Sequence, residues 1–151
     1  MPNLNPLKYV VCALLFVGVA VADESNNVLK SYEQAYAALK AGDIDAARKH
    51  YTDDLTVFNA DGTLLEHPNF DVMKRWVENG AKINPGPFQH CQIKLYDNIA
   101  VVTGYQRMTL TRPDSSSTTM DRRFTAVMNK LKGQWLIAHQ HLSPLTPIHP
   151  D

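Results

Sequence analysis

Apolar and polar positions alternate with two different periods along this chain, and the change from one to the other divides it. In "SNNVLKSYEQAYAALKAGD", Val28, Tyr32, Ala35, Tyr36 and Leu39 recur at helical spacing. Ser25 can cap the start and Gly42 can close the end. In "DIDAARKHYTDD", Asp43 is a cap and Ile44, Ala47 and Tyr51 share a face, which predicts a short second helix. "LTVFNADGTLLEH" reads as a hairpin turning at Asp61-Gly62. "NFDVMKRWVENG" has Phe70, Met73, Trp76 and Val77 in helical register and stops at Gly80. After "AKINPGP" the period falls to two. "FQHCQIKLY", "IAVVTGYQRMTLT", "TTMDRRFTAVMNK" and "QWLIAHQHLS" are strands, turning at Asp97-Asn98, "RPDSSS" and Lys132-Gly133. Helices followed by an antiparallel meander predict an α+β fold, with the helices on one face of the sheet.

In residues 99–103 and 135–142 both alternating sets are largely apolar. A sheet covered on one side should show a polar outer face. The second face therefore needs a cover, most simply another copy of the chain, so a homodimer through the sheet is expected.

The first residues differ in kind. Lys8 precedes an unbroken apolar run at 9–22, which ends in Ala20-Val21-Ala22 and is followed by Asp23-Glu24. This is the layout of a secretory signal peptide, and the run is short of the roughly 20 residues a membrane span needs. The expected organisation is a signal peptide at 1–22, one domain at 23–145 and an irregular, proline-broken tail at 146–151. Cleavage after Ala22 would deliver a secreted or periplasmic protein without a stable membrane anchor. It also removes Cys12 and leaves Cys91, so no internal disulfide can form. The 151 residues are 44% hydrophobic and 20% charged with zero formal net charge, as in a globular chain. No basic stripe marks a nucleic-acid partner.

Candidate chemistry centres on His139 and His141 in "GQWLIAHQHLSP". Residues two apart on a strand share a face. As metal ligands the pair lacks a third partner, and a bare His-x-His is a weak signal, so no metal is assigned. As pocket groups the two rings could exchange protons near neutrality. As structural groups they would hydrogen-bond at a strand end. Arg123 alternates with Thr125 and Val127 and could reach a cavity to hold a ligand carboxylate or carbonyl, or could extend to water. Tyr105 shares a strand face with Arg107. Tyr36 and Trp76 belong to the helical apolar set, and a tyrosine hydroxyl there would seek a partner. Asp53 and Asp54 read as helix-end and turn residues.

"GDIDAARKHYTDDLTVFNADG" and "RFTAVMNKLKGQWLIAHQHLSP" resemble the opening and the closing strands of SnoaL-like domains in the nuclear transport factor 2-like superfamily. The pattern is nearest to the subgroup that includes the association domain of calcium/calmodulin-dependent kinase II. The resemblance spans roughly residues 26–145. It implies a cone-shaped curved antiparallel sheet, with three N-terminal helices on its concave face around a pocket, and often a dimer. The fold serves several functions. The first expectation is an exported domain that binds a small apolar or amphipathic molecule, with no cofactor. Its pocket residues would be Tyr36, Trp76, Tyr105, Arg123, His139 and His141. The alternatives are an isomerase, dehydratase or cyclase acting on a carbonyl compound with a histidine base, and an assembly module.

Overall fold

The structure, a computed structural model, describes residues 7–145, and for residues 7–22 the backbone alone. The expected tail at 146–151 and the side chains of the expected leader lie outside the described residues.

Helix α1 (Leu7–Ala41) continues through Ser25 instead of starting there. Its buried stripe is the set anticipated from spacing: Val28, Tyr32, Ala35, Tyr36 and Leu39. Gly42 ends it with φ at +75°, a conformation that side chains with a Cβ avoid. Asp43 caps α2 (Ile44–Arg48), its carboxylate accepting from the Ala46 N–H at 2.9 Å. The helix stops before Tyr51, which instead opens β1 (Tyr51–Phe58). Asp53 and Asp54 are therefore exposed strand residues, not turn residues. The expected hairpin is reduced to a single bridge between Val57 and Glu66. Helix α3 (Phe70–Glu78) is capped by the Asn69 side chain.

The meander follows: β2 (Lys82–Tyr96), β3 (Ile99–Thr111), β4 (Ser117–Leu131) and β5 (Gln134–Pro144). The sheet order is β1-β5-β4-β3-β2. The sheet is curved and does not close, and the helices lie on its concave face. β1 pairs parallel to β5, so the sheet is mixed at that edge, not wholly antiparallel. β2 begins at Lys82, earlier than the change of period after Pro87 suggests, and takes in Pro85 and Pro87. As an edge strand it tolerates residues that cannot donate to a ladder.

One irregularity decides which side chains reach the core. β4 and β5 pair in register from Gln134 to Ile137, then slip by one residue between the pairs Met128–Ile137 and Val127–His139. Ala138 is the extra residue, a β-bulge. Trp135 and Ile137 are buried before it; Gln140 and Leu142 are buried after it. The inward parity thus changes from odd to even.

Candidate functional site

The concave face carries an open-mouthed cavity of about 440 Å³. Tyr36 and Leu39 of α1 form its roof, Phe70, Met73 and Trp76 of α3 one side, and Leu55 and Val57 of β1 another. Its floor is sheet: Met108, Arg122, Gln140 and Leu142. Most of this wall is apolar because each contributing element turns its hydrophobic set inward.

A polar network breaks the apolar wall at one end. Arg122, only 8% exposed, pairs across the ladder with Gln106. Its Nη2 donates to Gln106 Oε1 at 2.8 Å, and Gln106 Nε2 donates to the Gly86 carbonyl at 3.1 Å. Gln140 Nε2 donates to Tyr32 Oη at 2.8 Å and to Tyr36 Oη at 2.9 Å. Tyr32 is fully buried among Tyr36, Phe88 and Phe124. Burial pushes its phenol well above the ordinary range, so it stays protonated. Tyr51 is held neutral for the same reason. Gly104 permits this packing, since a Cβ there would stand 3.0 Å from the Phe124 ring and from the Gln89 carbonyl.

The opposite face carries a shallow groove lined by His90, Gln92, Thr103, Tyr105, Arg123, Thr125, His141 and Ser143. Register explains the assembly. Tyr105 pairs with Arg123, Arg123 with Ser143, and Thr125 with His141. Arg123 Nε donates to Ser143 Oγ at 2.8 Å. His90 adopts φ +52° at an irregularity of β2, and its ring centre lies 6.2 Å from that of Tyr105. His139 stands beside the groove, with Nδ1 2.8 Å from Thr56 Oγ1. Phe58 packs edge-on or tilted against both rings, at 5.8 Å from His139 and 5.6 Å from His141.

The residues singled out in the sequence therefore divide between two faces. Tyr36 and Trp76 line the inner cavity. Tyr105, Arg123 and His141 come together in the outer groove, with His139 next to them. Strict alternation from the buried Trp135 and Ile137 would bring both histidines inward, and the Ala138 bulge is the physical reason that they face out. Arg122 and Gln140 in the cavity wall, with Gln106 bonded to Arg122, are polar groups missed by that reading. Their signal was parity: Arg122 alternates with Phe124, Ala126 and Met128, the more strongly apolar set of its strand. Among the described residues, no cluster of three or more His, Cys, Asp or Glu side chains could hold a metal ion.

Comparison with solved structures recovers this architecture. The association domain of C. elegans calcium/calmodulin-dependent kinase II is 13% identical, with a TM-score of 0.63 over 81% of this chain and 96% of that one. A candidate dehydratase of the nuclear transport factor 2-like family from Streptomyces avermitilis is 13% identical, with a TM-score of 0.70 over 83% and 99%. A nuclear transport factor 2-like superfamily protein from Salmonella enterica is 15% identical, with a TM-score of 0.69 over 85% and 96%. At these identities the likeness shows the fold alone. No curated protein matches the sequence. The family model for the SnoaL-like domain matches residues 28–147, from Val28 within α1 to beyond the end of β5. The chain belongs to the SnoaL-like domain family.

Proposed function

We propose that this SnoaL-like chain is an exported small-molecule-binding domain whose ligand lies between the helices and the sheet. The observation that carries the reading is the cavity, about 440 Å³ with mostly apolar walls and a few polar groups. Ligand sites are commonly 300–1,000 Å³ and combine apolar walls with a few placed polar groups. Acid–base catalysis has less support. His139 and His141 face away from the cavity, and the carboxylate in its lining, Glu66, accepts from Asn59 Nδ2 at 2.7 Å and Thr63 Oγ1 at 2.8 Å. A carbonyl enzyme would need Glu66, not a histidine, as its base.

Native mass spectrometry of protein purified from its own host tests the reading. A small molecule should travel with the wild type. It should be absent from Leu110→Trp, which fills the cavity wall with an indole while leaving circular dichroism unchanged. A bare chain in both samples, together with failure to bind any apolar dye, would end the binding reading. Export has its own readout in the same experiment, because the mature mass should begin at Asp23.

Assembly into a homodimer through the outer sheet face is a compatible second reading. Val101, Val127 and Leu136 are half-exposed there, and Ile99 is exposed. The association-domain neighbour, named for assembly, lends it support.

A further inference from the structure

We propose that the cavity selects molecules with an apolar body and a carboxylate head, and that Arg122 is the group that recognises the head. The inference rests on the binding reading above and names its ligand class.

Arg122 carries a permanent charge into a buried position. Its Nη2 is satisfied by the Gln106 amide oxygen at 2.8 Å, a neutral acceptor, and touches Tyr36 Oη at 3.5 Å. Its Nε is buried with no hydrogen-bond partner among the described residues. None of the ion pairs among those residues includes Arg122. A buried guanidinium without a counter-ion is expensive to keep, and its unfilled Nε–H adds to the cost.

A second donor stands at the same place. A hydroxyl has one hydrogen to give and two lone pairs to receive with. Gln140 Nε2 donates to both Tyr32 and Tyr36, so each oxygen already receives one bond. Between the two hydroxyls, 3.5 Å apart, at most one hydrogen can be used. Tyr32 is sealed in the core and Tyr36 lines the cavity, so the remaining hydrogen is the one on Tyr36. Arg122 and Tyr36 both line the cavity, so a guanidinium without a counter-ion among the described residues and a free O–H meet there. An acceptor-only, negatively charged, planar group fits that demand, and a carboxylate accepts from two donors at once. Leu39, Val57, Trp76, Met108 and Leu142 supply the apolar walls for the rest of the molecule.

Calorimetric titration of the full mature chain at neutral pH with 2-naphthaleneacetate and with its isosteric neutral amide separates the possibilities. The acid should bind about tenfold tighter or better, the gain expected of a hydrogen bond to a charged group. In nitrogen-edited proton spectra, one arginine Nε–H resonance should move with the acid and stay in place with the amide. Arg122→Met should lack that resonance and lose the preference for the acid. Arg107→Met, which removes a surface charge paired with Asp121, should keep both. If Arg122→Met does not fold, the wild-type ratio, the Nε–H shift and Tyr36→Phe decide, the last with a reduced preference. Equal affinity for acid and amide, or a preference that survives in Arg122→Met, overturns the carboxylate assignment and leaves the binding reading standing. If neither probe enters, both fall together.

Discussion

Arg122 and Arg123 are neighbours on one strand and live in different solvents. Arg122 lies under the helices beside Gln106, at the wall of a mostly apolar cavity and with a buried, unfilled Nε donor. Arg123 lies on the other face, open to water and bonded to a serine hydroxyl. The same contrast runs through both faces. Inside, polar groups are few, buried and joined in a network. Outside, they are many and exposed, and they are mixed with half-exposed apolar residues. A guanidinium under the helices needs a reason to be there, whereas one on the outer face needs none. The comparison teaches that the chemically informative charge is the one placed in the core's own register.

The most drastic way to break this division is to exchange its residues beyond the bulge, as His139→Gln, Gln140→His, His141→Leu and Leu142→His together. Because Ala138 is the extra residue, positions 140 and 142 face the core, so the exchange carries both imidazoles inward and turns the leucyl side chain out. The loss should be about 4 kcal/mol or more, enough to leave a chain that melts without a cooperative transition. Native-like calorimetric melting of the exchanged chain would refute the role given to the bulge.

A charge placed outside should act on association, not on the fold. Val127 sits mid-face, paired with Val101 and His139. Val127→Glu should weaken the proposed dimer by about 2–5 kcal/mol, since it buries unpaired charge at an interface. Sedimentation would show monomer, while circular dichroism stays native. A wild type that is monomeric at high micromolar concentration would remove the dimer from consideration.

Inside and outside can also be compared one residue apart. Gln140→Leu removes the donor shared by two buried tyrosine hydroxyls and should cost about 1–3 kcal/mol in denaturant titrations. His141→Gln, on the exposed side of the same strand, should stay within about 0.5 kcal/mol and leave cavity binding unchanged. Equal costs would mean that the two faces are not energetically distinct.

Glu24 gives a smaller, pH-dependent effect. It accepts from Lys130 Nζ at 2.6 Å and from Trp135 Nε1, and these bonds hold its carboxyl below the ordinary 4.5. The folded chain therefore binds this proton less readily than the unfolded chain. The stabilisation is present above about pH 4.5 and is lost as pH falls through the depressed folded value. Glu24→Gln should cost about 1 kcal/mol at neutral pH and flatten that part of the acid limb. An acid limb identical in both proteins would show that Glu24 contributes nothing to it.

Much of the fold was legible because its rules are local. Val28 to Leu39 announce a helix by spacing, and Asp43 and Gly42 mark a corner by chemistry. Lys132 and Gly133, at φ +50° and +81°, make the tight hairpin turn that Lys-Gly suggests. The failures came where distant partners decide. Pro85 and Pro87 argue against a strand until β2 is known to be an edge. Tyr51 to Asp54 extend the strand at Leu55 only because β5 is available to pair with it. The site was misread for the same reason, since a one-residue slip between β4 and β5 is a property of two strands together. Without that slip His139 and His141 look like pocket residues, and Gln140 does not.

The parallel pairing of β1 with β5 has a kinetic consequence. Thr56 meets His139, and Val57 meets Gln140, across most of the domain's length. The other strand pairs join sequence neighbours through short turns and can zip early, whereas this one must wait until β5 exists. Leu55 and Val57, the side chains that β1 contributes to the cavity wall, therefore arrive last. A molecule held against that wall stabilises contacts absent from the folding transition state. It should slow unfolding and leave the refolding rate nearly unchanged, so that saturation of the cavity lengthens the lifetime of the folded chain without hastening its formation.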